Sequence, residues 1–192
     1  MKKLSVITMI ALAACMFQAC SGNKDSAETA DSINAERDSA NAVEAGMAAD
    51  EDDAKFAVDA ANGGMAEVAL AKLAEGKAVN AKVKEFAAMM VADHTKANDE
   101  LMALAQAKNI TLPQAVSTEK QAVMDDLTKK SGSEFDKAYV DQMIDDHKKT
   151  ISMYEDASKN LKDADMKAFV DGKLPTIKAH LEHVTAIHDS MK

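Results

Sequence analysis

Four stretches of the chain after residue 50 place apolar side chains three or four positions apart, with polar residues between them. This spacing is the period of an α-helix that buries one face. A fifth, shorter stretch begins near Thr118 and ends at Gly132. The sequence therefore predicts an all-α fold, an antiparallel four-helix bundle with one short extra crossover helix. The long stripes cover residues 56–74, 79–104, 135–154 and 166–187.

Composition agrees with a helical protein and excludes one class of partner. The 192 residues include 13 Met, no Trp and two Pro, and aromatic residues make up 4% of the chain. Methionine is a good helix former, whereas β-sheet cores prefer aromatic and β-branched side chains. The 23 Lys and Arg against 32 Asp and Glu give a formal net charge of −9. An acidic chain lacks the basic face that phosphate backbones require, so no nucleic acid partner is expected.

The start of the chain has the pattern of a bacterial lipoprotein signal peptide over residues 1–19. Lys2 and Lys3 precede an almost wholly apolar run that is too short for a comfortable membrane span. Both cysteines lie at the end of this run, and none follows, so no disulfide or thiolate metal site is expected. Cys20 is the favoured lipidation site because a polar stretch follows it at once. Cys15, in the sequence Leu-Ala-Ala-Cys, is the alternative.

The segment 20–50 is rich in Ser, Asn, Ala, Asp and Glu and has few large apolar groups, which predicts a flexible acidic tether. Residues 51–192 are then the folded domain. Cleavage after residue 19 removes two lysines and no acid, so the mature charge is −9 − 2 = −11. These features predict a lipid-anchored protein of the bacterial cell envelope, periplasmic or surface-facing, with the outer membrane favoured. The anchor would make the membrane its partner, while protein partners remain unknown.

A short internal echo links the second and third stripes. Residues 90–96, MVADHTK, match residues 143–149, MIDDHKK, at a separation of 53 residues. Two related helical hairpins stacked into one bundle would explain this repeat.

Ionisable residues occupy positions on the stripes that should be apolar. Glu67, His94, His147 and His180 each fall on a seam, one on each long helix. Helix bundles build metal sites by pointing such groups inward from facing helices. A neutral imidazole is a common metal ligand, and a buried carboxylate needs a partner or a cation. These four residues are therefore the candidate ligands of a transition metal ion.

Two methionines bear on the identity of that metal. Met90 and Met143 lie one turn before His94 and His147, on the same helix faces. Thioether and imidazole together would favour copper, whereas three imidazoles and a carboxylate would suit zinc, nickel or iron equally. A purely structural interpretation also fits, because buried histidines hydrogen-bond to carbonyls or carboxylates and methionine is a common core filler.

Five segments follow one another along the folded part of the chain: FAVDAANGGMAEVALAKLA, VKEFAAMMVADHTKANDEL, Leu112-Pro113, FDKAYVDQMIDDHKKTISMYEDAS and LPTIKAHLEHV. In these segments and their order the chain resembles an uncharacterised bacterial family, domain of unknown function 4142. The resemblance covers roughly residues 52–190 and implies an exported, ferritin-like four-helix bundle, often lipid-anchored, without implying an activity. Ferritin-type di-iron sites need Glu-x-x-His on two helices, and this chain has no such motif.

The sequence thus leads to two functional hypotheses of different classes. The first is a binding protein that holds a transition metal ion in the bundle core. The alternative is an envelope-stress or interaction protein without metal, in which the buried His and Glu residues fix the register of the helices. Neither a nucleophile motif nor a di-iron motif is present, so an enzymatic activity is not indicated.

Overall fold

The computed structural model describes residues 25–41 and 50–192, and these residues form six α-helices and no strand. The prediction of an all-α, antiparallel four-helix bundle with one short crossover helix is confirmed. Four helices of 27–29 residues make up the bundle. The helices are α1 (Ser26–Asn41), α2 (Glu51–Lys77), α3 (Ala81–Ala107), α4 (Thr118–Thr128), α5 (Gly132–Asn160) and α6 (Ala164–Ser190).

Each helix of the bundle is antiparallel to the two helices that it packs against. Helix α2 contacts α3 and α5, and α6 contacts the same two helices from the other side. Helices α3 and α5 therefore run parallel to each other across the diagonal. The end of α3 and the start of α5 consequently lie at opposite ends of the bundle, and the segment 108–131, with α4, spans that length.

Two buried aspartates fix the ends of the bundle. Asp53, at the start of α2, accepts backbone N–H bonds from Lys162 and Asp163 in the α5–α6 connection, at 2.9 and 3.0 Å. Asp136, at the start of α5, accepts the backbone N–H groups of Val79 and Asn80 in the α2–α3 connection. Each hairpin therefore binds the turn of the other one, which satisfies N–H groups at the start of α3 and α6.

This exchange reveals an internal two-fold repeat with a period of 83 residues. Helix α3 coincides with α6 under that shift, and the cap residues Asn80 and Asp163 correspond. The connections share their backbone conformation, with φ −60° and ψ 143° at Ala78 and φ −58° and ψ 144° at Leu161. The expectation of two related hairpins is met, but the echo at 53 residues instead relates the diagonal helices α3 and α5.

The core consists of two apolar clusters, one toward each end of the bundle. The first contains Phe86, Phe135 and Tyr139, and the second contains Phe56 and Tyr154. Glu67, His94, His147 and His180 are buried between these clusters along their helices. A single polar layer therefore interrupts the apolar core, and Met90 and Met143 lie on the Phe86 side of it.

The prediction of a flexible tether is wrong for Ser26–Asn41, because these residues form helix α1, which packs against α2. Asn34 exchanges two hydrogen bonds with the backbone of Thr111, at 2.8 and 2.9 Å, and Ala30 is buried. Asp25 accepts the backbone N–H of Thr118 at the start of α4. These polar side chains hold the helix in place by making hydrogen bonds with backbone groups of the chain that follows α3. A prediction that counts apolar residues does not detect such bonds.

The predicted signal peptide (1–19) and the lipidation candidates Cys15 and Cys20 lie outside the described residues, as do residues 42–49. Within the described ranges, no helix combines the length and apolarity needed to cross a bilayer. Helix α6 continues through Pro175.

Replacing Asp136 with alanine should lower the free energy of unfolding by about 2–4 kcal/mol, because two part-buried backbone N–H groups lose a charged acceptor. Asp145→Ala is the matched control, since Asp145 is exposed on the same helix. Urea unfolding monitored by circular dichroism measures both. Equal stability of the two variants would contradict this role of Asp136.

Candidate metal site

The polar layer takes one side chain from each long helix. Glu67 comes from α2, His94 from α3, His147 from α5 and His180 from α6. Their exposed fractions are 3%, 7%, 0% and 3%. The helical period that places Phe86 and Met90 in the core also turns these four residues inward. The layer lies at the depth where a bundle holds cofactors and metal ions.

The three imidazoles converge on one another. Ring centroids are 5.3 Å apart for His94 and His180, 5.6 Å for His147 and His180, and 5.8 Å for His94 and His147. Each histidine offers one ring nitrogen, and these three atoms all lie within 4.8 Å of one another. Among the described residues, this is the group of His, Cys, Asp and Glu side chains arranged closely enough to hold a metal ion.

Each imidazole is fixed by a hydrogen bond on one ring nitrogen. His94 Nδ1 lies 3.0 Å from Glu67 Oε2, and His180 Nε2 lies 2.9 Å from Asp93 Oδ2. His147 Nδ1 donates to the carbonyl oxygen of Met143 at 2.8 Å, because a carbonyl oxygen can only accept. An acceptor behind each ring sets its orientation and tautomer, as acceptors do behind histidines that bind metals.

The charge state of the layer follows from burial and from one ion pair. Burial raises the pKa of Glu67, but the charge and hydrogen bond of His94 outweigh it and hold the pKa below its ordinary value. Burial likewise lowers the pKa of His94, and the Glu67 carboxylate reverses that effect and raises it. His147 and His180 have pKa values lowered mainly by burial. The pKa shifts therefore favour the charged forms of Glu67 and His94 and the neutral forms of His147 and His180.

The remaining ring nitrogens face the interior. His94 Nε2 and His180 Nδ1 are 3.3 Å apart. Because His180 donates from Nε2 to Asp93, its Nδ1 has a lone pair, which accepts the proton of His94 Nε2. His147 Nε2 and Glu67 Oε1 are buried without any hydrogen-bond partner. Lone pairs on neutral imidazoles and a spare carboxylate oxygen are the donors that a transition metal ion binds.

The structure brings together three of the four predicted ligands. Glu67 stands behind His94, and its Oε1 is 3.8 Å from His147 Nδ1, so it supports the histidines from outside their group. Met90 and Met143 are fully buried in the first apolar cluster.

The sequence did not identify Asp93 as the residue that orients His180, because the inward position on this face of α3 belongs to its neighbour His94. The one signal was its position directly before His94. Asp93 is 45% exposed and reaches His180 from the edge of the layer. Asp146, the equivalent residue before His147, binds Lys120 at 2.8 Å instead.

A cavity of about 140 Å³ adjoins the layer. Glu67, His94 and His180 form part of its wall, and His147 does not. Gly64 lets α3 approach, since a Cβ there would lie 2.0 Å from Asn98 Oδ1. The other residues that line it are Ala60, Gly63, Asp93, Lys96, Ala97, Leu101, Thr150, Met153, Tyr154, Phe169, Lys173, Thr176 and Ile177.

A family model described as "Domain of unknown function (DUF4142)" matches residues 38–187. The chain belongs to this family. The match begins within α1 and ends near the end of α6, so it includes the whole polar layer of this DUF4142 protein. The chain matches no curated protein sequence.

Two solved structures share the fold of the DUF4142 domain. "CopM in the Cu(II)-bound form" is 17% identical, with a TM-score of 0.63, and the match covers 73% of this chain and 97% of that one. A putative secreted protein DUF305 from Streptomyces coelicolor is 14% identical, with a TM-score of 0.62 and coverage of 73% and 93%. At these identities the likeness shows the helical bundle alone.

The metal-free DUF4142 domain should lose stability as the pH falls from 7 to 5.5. His147 and His180 have pKa values below 6.5 in the folded state, so the unfolded state binds more protons in this range. The free energy of unfolding then falls by up to about 1.4 kcal/mol per pH unit for each histidine. The raised pKa of His94 has the opposite effect, because it stabilises the folded state as the pH falls. This stabilisation is already complete below about pH 6.5, the ordinary pKa of an imidazole.

Urea unfolding at pH 7.0, 6.0 and 5.5 in the presence of a chelator measures this dependence. His147→Gln should flatten it, whereas His183→Gln, at an exposed position of α6, should leave it unchanged. The same pH dependence in His147→Gln and in the unaltered chain would rule out the contribution of His147.

Proposed function

We propose that this DUF4142 protein binds one transition metal ion, with Cu(II) preferred, between His94, His147 and His180. The observation that carries the proposal is the set of three buried imidazoles, each held by an acceptor on one ring nitrogen, with one nitrogen of each ring within 4.8 Å of the others. Glu67 adds a negative charge beside the ion, which lowers the cost of placing a cation in the core.

The spacing of the donors supports a shared ion. Donor atoms at about 2.0–2.1 Å from one ion lie about 2.8–3.0 Å apart when they are neighbours in a tetragonal Cu(II) complex, and about 3.3–3.4 Å apart around a tetrahedral ion. His94 Nε2 and His180 Nδ1 are already at 3.3 Å. His147 is the third histidine of the group, and its Nε2 is buried without a hydrogen-bond partner, so its lone pair is available to an ion. Binding would displace the proton that His94 shares with His180.

The preference for copper rests on the donor type and on one structural neighbour. Imidazole suits copper, zinc, nickel and iron, and among divalent ions Cu²⁺ forms the most stable complexes with a given nitrogen site. The helical neighbour CopM was solved with Cu(II) bound. The buried thioethers of Met90 and Met143 lie one helical turn away, and thioether sulfur is a donor that reduced copper prefers.

The test is titration of the chain lacking residues 1–20, purified without a His-tag, with Cu(II), Zn(II) and Ni(II). We expect one equivalent of tightly bound Cu(II), and at least about 100-fold weaker binding after His94→Ala/His147→Ala, because two of three ligands are lost. His183→Ala/His188→Ala is the matched control and should bind as the unaltered chain does. Circular dichroism checks that the variants remain helical.

Equal and weak binding by all of these proteins would overturn the proposal. That outcome would favour the second hypothesis, in which the proton shared by His94 and His180 and the Glu67 pair only fix helix register.

Replacement of the acceptors behind the rings should weaken Cu(II) binding without abolishing it. Glu67→Gln and Asp93→Asn are each expected to cost about 10–100-fold in affinity, because His94 and His180 lose the groups that orient them. Asp99→Asn, an exposed position of α3, is the control and should bind normally. Unchanged affinity in Glu67→Gln would remove Glu67 from the site.

We also propose that the domain works outside the cytoplasm, tethered through a lipid on Cys20 or, alternatively, Cys15. The support is the basic and apolar leader over residues 1–19 and the polar stretch that follows Cys20.

A further inference from the structure

The cavity beside the polar layer leads from the protein surface to the histidines. His94, His180 and Glu67 form its buried part, while Lys96 and Thr176 are exposed. A volume of about 140 Å³ exceeds the need of one water molecule, since an engineered cavity of similar size holds benzene. A molecule of a few atoms can therefore reach these imidazoles.

The opposite side of the layer is closed. The Phe86 ring lies 6.4 Å from the His147 ring and 6.5 Å from the His180 ring, and Phe86 is fully buried. Met90 and Met143 are fully buried on the same side. A ligand from solvent thus has access to the layer from the cavity side.

Resting on the proposed metal site, we infer that the bound ion keeps an exchangeable coordination position that faces this cavity and takes a small monodentate anion from solvent. Three histidines supply three donors, and a metal site with three protein ligands keeps its next position for water or an added ligand. The cavity lining has two lysines, Lys96 and Lys173, and two carboxylates, Glu67 and Asp93, and Lys173 is also paired with Glu100. The positive charge that attracts an anion is therefore that of the bound ion itself.

One glycine allows the cavity to be filled without disturbing the histidines. Gly63 lines the cavity, and a Cβ added there would meet nothing within 4 Å. The Cβ of a leucine at this position therefore meets open space rather than a neighbour. Gly76 lies on the same helix at an exposed position and is equally free of neighbours, which makes Gly76→Leu the matched control.

Azide is the probe, because it binds as a monodentate anion and gives a charge-transfer absorption band when it coordinates Cu(II). The protein is loaded with one equivalent of Cu(II), and azide is then titrated into the unaltered chain, Gly63→Leu and Gly76→Leu. We expect a saturable band in the unaltered chain and in Gly76→Leu. Gly63→Leu should bind azide at least about tenfold more weakly while it keeps its affinity for Cu(II).

The copper titration separates the two proposals. Absence of Cu(II) binding in the unaltered chain would remove the metal site itself. Tight Cu(II) binding without an azide band, or equal azide affinity in Gly63→Leu and Gly76→Leu, would retain the site and overturn the inferred open position.

Discussion

The ion pair between Glu67 and His94 is the interaction on which the centre of this bundle depends. A carboxylate that is almost completely buried is costly unless a charge and hydrogen bonds compensate for it. His94 supplies both at 3.0 Å, and its other ring nitrogen then meets His180 at 3.3 Å. His180 is in turn held by Asp93 at the edge of the layer. Removal of one member leaves a buried polar group without a partner, so these residues act as a unit.

The long helices and the inward direction of the three histidines could be predicted from sequence, because both follow from the helical period. Met166, His180 and Val184 fall on one stripe whether or not a neighbour is known. The partner of the His180 ring could not be predicted in this way. Asp93 reaches His180 on another helix, and such a contact depends on how the helices pack side by side.

The error at α1 has a related physical origin. The segment 26–41 is poor in large apolar side chains, so its composition indicates mobility. Its order depends on hydrogen bonds that the side chains of Asn34 and Asp25 make with backbone groups of Thr111, in the α3–α4 connection, and Thr118, at the start of α4. A pattern of apolar residues predicts burial, whereas a polar side chain that caps a distant loop leaves no periodic signal.

The 83-residue repeat relates residues that line the cavity to the residues of the polar layer. Under that repeat the counterparts of the four polar-layer residues all line the cavity. Around the cavity, smaller or apolar side chains therefore stand at the positions that correspond to the three imidazoles and the carboxylate of the layer. Differences between the two hairpins at these four positions separate the donor set from the space beside it. The counterparts of Glu67, His94, His147 and His180 are Thr150, Ile177, Gly64 and Ala97.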